Sequence, residues 1–398
     1  MTYSLLQGLR VVELGESVSA PYCAKLLADM GAEVIKMERP GVGDQAREYG
    51  PFPGDEPHHE RSGLFLYLNA NKQGVTLDLE TPTGREILGD LLAQSQVFVH
   101  NLHPKEMDRL SVDYEHLSKH NEQLVMASIT PFGLTGPYRN YKAYDINLAA
   151  AGGICEGLGS PDREPLTFGT PQVGYFAAMA AASSIVIALL AGSGQHIDIA
   201  EVEAMAGIYN GPEALMAVYQ WRMTRRTGHH ALDFPYPNCI LRCKDGYIFV
   251  GSPEGRQWKK FLEIMGDPEW AKEPRFRNRT TMNNEYADEV DGYVEEWLLK
   301  HTKAELLDLA LEHRVPLAPV RNFDEVRNDE SLADQFVAVD RSDTGPISFA
   351  GPPYKLPGQA VSPPRPAPFL GQHNADIYCG RLGYTKEELV KLYQTGII

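Results

Sequence analysis

Short apolar runs alternate with amphipathic stretches through the first 200 residues, and that rhythm restricts the chain to a mostly parallel sheet covered on both faces. Arg10 to Leu14 (RVVEL) reads as a strand. Ser19 to Met30 reads as a helix, with Pro21 in its first turn, where a missing N–H costs little, and Gly31 closing it. Strand patterns follow at Glu33 to Met37, Val75 to Leu79, Val97 to His100, Leu124 to Ile129 and His196 to Ile199. Helical patterns run from Thr81-Pro82 to Gln94 and over Val112 to His120. The apolar run Tyr175 to Gly192 approaches membrane-spanning length. It is rich in Ala and Ser, lacks flanking basic residues and leads straight into a strand, so it is expected to be a buried core helix.

A chain of 398 residues outgrows a single hydrophobic core. Near residue 206 the pattern changes to a helix over Gly207 to Arg226, a hairpin over Cys239 to Gly251, and amphipathic helices at Gln257 to Met265, Asn284 to Lys300 and Lys303 to His313. That composition predicts a second, smaller α+β domain. Residues 346 to 368 hold eight prolines, which excludes a helix or central strand and predicts an extended strap leading to a last helix at Thr385 to Gln394.

A net charge of −16 argues against nucleic-acid or anionic-membrane binding by the bulk surface. The five cysteines are scattered, and Cys239 and Cys243 have no second close Cys or His pair to complete a zinc site, so no metal is expected. Reduced thiols and the lack of a signal-peptide pattern predict a cytoplasmic protein. His229 and His230 have no triad partner identifiable in the sequence, and Arg222, Arg225 and Arg226 read as cations at a helix end.

In an open parallel sheet, ligands sit beyond the carboxyl ends of the strands. The loops there are Gly15 to Ser19, Glu38 to Pro40, His100 to Leu102 and Thr130 to Gly133. Three single cations on separate loops, Arg39, Lys72 and Lys142, could neutralise an extended polyphosphate, or could equally be solvated loop charges. Neither a G-x-G-x-x-G nor a Walker lysine loop occurs, which disfavours a nicotinamide or nucleoside-triphosphate enzyme.

Leu6 to Leu14 (LQGLRVVEL), Met30 to Pro40 (MGAEVIKMERP), Asn69 to Leu79 (NANKQGVTLDL), Asn101 to Pro104, Phe132 to Pro137 (FGLTGP), Lys142 to Asp145, Gly194 to Asp198 (GQHID), Asp245 to Tyr247 and Leu370 to His373 succeed one another along the chain. Together they resemble the class III CoA-transferases, the CaiB/BaiF type that includes formyl-CoA transferase and the carnitine CoA-transferases. The resemblance implies a Rossmann-like large domain from residues 1–205 together with 330–398, a small domain from 206–329, and two chains intertwined as linked rings. It also implies acyl-coenzyme A as substrate with no permanently bound cofactor, and CoA contacts from Ser17, Val18, Arg39, Asn71, Lys72, Asn101, Leu102 and Lys142.

In that family a carboxylate attacks the donor thioester, forming a mixed anhydride and then an enzyme–CoA thioester. The aspartate lies in a G-D-x-x-x-G or A-D-x-x-x-G stretch before the long apolar helix. Here the stretch is Gly169 to Gly174 (GTPQVG), with Thr170 at the nucleophile position and no charged residue from Pro165 to Ile197. A racemase of the same fold needs a His where this chain has Tyr144. Three readings stay open. A paralogous subunit supplies the aspartate, as in two-subunit members such as succinyl-CoA:benzylsuccinate CoA-transferase. Alternatively, another acid (Asp145, Glu16 or Glu156) serves a homodimeric enzyme. In the third, the chain binds CoA without catalysis.

Overall fold

The computed structural model describes residues 3–209, 218–219, 226–231, 234–252, 254–359 and 361–398. Arg222, Arg225, Pro253 and most of the helix expected over 207–226 lie outside them. The chain divides into two compact units. The first comprises Met1–Ile154, Thr167–Val218 and Asp334–Ile398; the second comprises Cys155–Leu166 and Tyr219–Ala333. Residues 155–166 thus group with the second unit, although the sequence pattern gave no boundary there.

The first unit is built on six parallel strands: β1 (Arg10–Leu14), β2 (Glu33–Glu38), β3 (Gln73–Thr76), β4 (Val97–His100), β5 (Val125–Thr130) and β6 (Gln195–Ala200). Their order across the sheet is β3-β2-β1-β4-β5-β6. The order in which strands are added therefore reverses between β1 and β4, which opens a crevice at the carboxyl ends of those two strands. Every residue of β4 and β5 is buried, as a sheet covered on both faces requires.

One layer packs α1 (Ser19–Asp29) against α7 (Val173–Ala191). Ala177, Ala178, Ala181, Ala182, Ile185 and Ala188 meet Ala20, Cys23, Ala24, Leu27 and Ala28 in one core, where small side chains let the two helices approach closely. The 19-residue α7 is long and apolar enough to cross a membrane by composition, but this face is buried in the protein. Opposite lies α3 (Pro82–Ala93), capped by Thr81, whose hydroxyl accepts the Gly84 amide at 3.0 Å. The helix expected over Val112 to His120 shrinks to Tyr114–Leu117, because Asp113 caps it late and the chain turns again at Ser118.

Residues 369–398 complete this unit by covering the β3 edge. His373 donates its amide to Gly74 O at 2.9 Å, while Asn374 Oδ1 accepts the Thr76 amide at 2.9 Å. The Tyr378 hydroxyl donates to Thr76 O at 2.7 Å. The first residues of the expected strap, 346–350, instead belong to β11 (Gly345–Ala350), which forms an antiparallel hairpin with β10 (Phe336–Arg341) that the sequence pattern did not suggest.

The second unit has a three-stranded antiparallel sheet, β7 (Asn238–Cys243), β8 (Gly246–Gly251) and β9 (Leu317–Pro319), in the order β7-β8-β9. Helices 255–264, 287–298 and 303–313 pack on it around Trp258, Phe261, Val294, Leu298 and Leu306. A mixed α/β architecture with a parallel main sheet and a smaller α+β unit therefore stands as expected.

Candidate active site at the sheet switch point

The loop after β1 forms the floor of the crevice. At Gly15 a Cβ would lie 2.5 Å from the Ala20 Cβ, so only glycine lets the chain turn there into α1. Ser17 follows with φ 61°, a left-handed conformation held by its amide bond to Asp44 Oδ1 at 2.8 Å. Asn101, just beyond β4, staples the loop from the other side. Its Oδ1 accepts the Glu16 amide at 2.9 Å, and its Nδ2 donates to Glu16 O at 2.7 Å and Ser19 Oγ at 3.2 Å. Val18 is buried and Leu102 half-buried.

A buried charge network holds this loop from beneath. Lys36 Nζ lies 2.9 Å from Glu13 Oε1 and 2.8 Å from Asp44 Oδ2, and donates to Gly15 O at 2.9 Å. Lys72 Nζ donates to Glu13 Oε2 at 2.6 Å, Pro21 O at 2.7 Å and Asn69 Oδ1 at 2.8 Å, with a fully buried side chain. An ammonium has three N–H donors, so none is left for a phosphate. In this arrangement Lys72 holds the loop as a structural cation, with no Nζ donor free for the expected CoA contact. Burial drives its pKa down to about 8, with Glu13 opposing and Lys36 adding to the shift. For Lys36 the same burial is outweighed by Asp44, Glu13 and Glu38, which raise its pKa. Asn71 is tied into the same region of the protein. It is buried, donates to Asp29 Oδ1 at 2.7 Å and accepts the Arg365 amide at 2.7 Å.

Arg39 and Lys142 remain as solvent-facing cations. The Arg39 side chain is 59% exposed and lies 3.3 Å from Glu16 Oε1. Lys142 is exposed on the loop between β5 and the helix α6 (Asp145–Ala151). That loop is fixed at its root, where Asp198 Oδ2 on β6 accepts the Leu134 amide at 3.0 Å. Beside it, the Ser128 hydroxyl bridges His100 Nε2 at 2.7 Å and His196 Nε2 at 2.8 Å. Burial, and secondarily His196, hold His100 neutral, with a pKa lowered to about 3. His103 accepts the Lys105 amide at 3.2 Å at the start of the helix over 104–110.

Thr170 is exposed, and its hydroxyl accepts a bond from Gln172 Nε2 at 2.9 Å. Asp145 faces the same segment. Its Oδ1 accepts the amides of Val173 at 2.8 Å and Gly174 at 3.4 Å, and its Oδ2 accepts that of Gln172 at 3.2 Å. The carboxylate thus satisfies the orphan donors at the α7 N-terminus. Gly174 in turn abuts the first loop, since a Cβ there would lie 3.2 Å from the Val18 Cβ and 3.5 Å from the Ser19 amide nitrogen. Glu16 has its pKa raised by burial, with Arg39 opposing and Asp44 adding. Glu156 belongs to the second unit and pairs there with Arg226 at 3.0 Å.

One acid of this cluster escaped the sequence reading. Glu201 opens the helix α8 (Glu201–Tyr209) and bonds to the Ser19 side chain. Burial pushes its pKa up to about 7, opposed by the Ser19 bond and reinforced by the Asp145 charge. In sequence it looks like an ordinary acidic residue in a first helical turn. The only available signal is its place directly beyond the carboxyl end of β6.

The family model for CoA-transferase family III matches residues 6–374. This chain belongs to that family. Succinyl-CoA–D-citramalate CoA-transferase of Chloroflexus aurantiacus is 32% identical over 99% of this chain and 98% of its own. Succinyl-CoA:mesaconate CoA-transferase of Haloarcula hispanica is 33% identical over 94% and 95%. A crystal structure of a CaiB/BaiF family protein from Brucella suis superposes with a TM-score of 0.85 at 29% identity, covering 95% of this class III chain and all of that one.

Proposed function

We propose that this class III chain is the CoA-binding subunit of a transferase that moves CoA between an acyl-CoA, such as succinyl-CoA, and a carboxylic acid. A paralogous chain in an intertwined hetero-oligomer supplies the nucleophilic aspartate. The observation that carries this reading is the pair at the α7 N-terminus: position 170 offers a hydroxyl, and the facing carboxylate of Asp145 is occupied by three amides. An acyl ester on a threonine lacks the activation of an anhydride or thioester and would trap the cycle.

In the complete enzyme the partner's aspartate attacks the thioester carbonyl, the C–S bond breaks, and an acyl–aspartyl anhydride and CoA thiolate result. The thiolate then attacks the aspartyl carbonyl, releasing the product carboxylate and leaving an aspartyl–CoA thioester. The acceptor acid runs the two steps in reverse. In this chain, CoA lies along the switch-point crevice, with Ser17, Val18, Asn101 and Leu102 lining it and Arg39 and Lys142 meeting its phosphates. Lys72 and Asn71 act only by holding the loop. The net charge of −16 suits a cytoplasmic protein that binds neither nucleic acid nor membrane.

The test is exchange of labelled succinate into succinyl-CoA. The pure chain is expected to bind CoA without exchange, and T170D is expected to gain exchange. Exchange by the unmodified pure chain would overturn the borrowed aspartate. It would favour a second reading, a homodimer using Glu201, which is supported by the placement of that half-buried acid beside Ser19 and Asp145. Under that reading E201Q abolishes the exchange; under the first, E201Q in the assembled enzyme leaves a measurable rate.

A further inference from the structure

His229 and His230 follow one another in the second unit, and the fold gives both the same partner. Asp291 sits on the helix over 287–298. Its Oδ2 lies 2.9 Å from His229 Nε2 and 2.8 Å from His230 Nε2. These three ligand atoms all fall within 4.8 Å of one another. The sequence offered no partner for the histidines because Asp291 is some 60 residues away and arrives only through helix packing on β7.

Four features make this more than a chance meeting of polar groups. The donor set of two imidazoles and one carboxylate is one that first-row divalent ions take, leaving further coordination positions open. The carboxylate is oriented by an outer partner, since the buried Tyr236 hydroxyl donates to Asp291 Oδ1 at 2.9 Å. That is the outer-shell bond metal-binding carboxylates ordinarily have. The histidine segment is pinned to β7 at both ends, with Ile240 N donating to His229 O at 3.0 Å and Ala231 N to Asn238 O at 2.9 Å. Finally, access is one-sided: the Asp291 and His230 side chains are each only 10% exposed, whereas His229 is 48% exposed and opens the cluster to solvent.

We propose that His229, His230 and Asp291 form a binding site for one divalent transition-metal ion of the zinc class, with water completing the coordination on the His229 side. Without the ion, the carboxylate oxygen accepts a hydrogen bond from each ring. With it, both rings take the Nδ1–H tautomer and present Nε2 lone pairs, and Oδ2 supplies the anion. The ion would tie the segment before β7 to the helix over 287–298, so binding stabilises the folded second unit by mass action.

The test uses the full chain, stripped with a chelator and titrated with Co²⁺ followed by its visible ligand-field absorption. One equivalent per chain is expected, displaced by Zn²⁺, with a rise in melting temperature. H229Q removes a half-exposed ligand and leaves the core intact. It should weaken Co²⁺ binding at least 10-fold and change the spectrum, as should D291N. Y236F keeps all three ligands and should weaken binding by about 10- to 100-fold with the spectrum retained. Should D291N fail to fold, H229Q and Y236F alone decide. Absence of a stoichiometric Co²⁺ site, or a site whose affinity and spectrum are unchanged in H229Q, would overturn the proposal.

Discussion

Asp145 accepts the Val173 amide at 2.8 Å, so a carboxylate at the start of α6 fixes the first turn of a helix 28 residues further along the chain. The same turn carries Gly174 against Val18. The acid, the α7 N-terminus and the floor of the crevice therefore form one assembly, and changes to any one of them are expected to be felt by the other two.

Removing that cap should cost stability before it costs chemistry. Asp145→Ala is expected to destabilise the protein by about 0.5–2 kcal/mol in denaturant unfolding, whereas Asp145→Asn, which keeps an acceptor, should lose much less. If Asn proves as damaging as Ala, the charge and not the cap is what matters there.

Arg39 and Lys72 should behave as opposites. Arg39→Ala is expected to weaken CoA binding, measured by calorimetry, while changing stability by no more than about 0.5 kcal/mol. Lys72→Met leaves Glu13 with one cation in place of two in a buried site and should cost about 3–5 kcal/mol. Any CoA-affinity loss in Lys72→Met should track the unfolded fraction; a loss in the fully folded variant would restore Lys72 as a ligand contact.

His100 makes the fold acid-sensitive. Its folded pKa of about 3 lies below its ordinary 6.5, so the unfolded chain binds the extra proton. Its stabilising contribution is full above about pH 6.5 and is lost as the pH falls toward 3, at up to about 1.4 kcal/mol per pH unit. A His100→Asn variant should show a shallower fall in stability than the parent between pH 6 and 4.

Glu201 carries the opposite sign. Its folded pKa of about 7 exceeds the ordinary 4.5, so the folded state holds the proton more tightly. Stability linked to it is full below about pH 4.5 and lost as the pH rises through 7. Glu201→Gln should therefore melt higher than the parent at pH 8, by on the order of 1–3 kcal/mol, and show little difference at pH 5. Equal melting temperatures at pH 8 would mean that the carboxylate is solvated.

The parallel sheet was readable because its strands are short apolar runs cut off by Gly, Pro and Ser, and because β4 and β5 are buried on both faces. Alternation carries less information where the chain pairs at a distance. The β10–β11 hairpin was hidden by Pro346 and by a tight turn whose residues look like any polar loop. In the crevice, sequence position identified the loops but not which way their side chains face. Arg39 and Lys72 both flank strands and look alike on paper, yet one ends in solvent and the other among three buried oxygens, one of them the Glu13 carboxylate. Glu201 and the His229–His230–Asp291 cluster were illegible for a related reason: each depends on a partner brought near only by tertiary packing.

The hydrogen bonds that join His373 and Asn374 to β3 carry a consequence for how this protein comes to be made. Strand β3 is complete by residue 76, but the groups that cover its open side lie roughly 300 residues downstream. During synthesis that edge stays bare until residues 373–378 have been made, long after the rest of the sheet can assemble. A fragment ending near residue 205 would keep an uncovered, hydrogen-bond-hungry strand for good, and it should precipitate where the entire chain stays in solution.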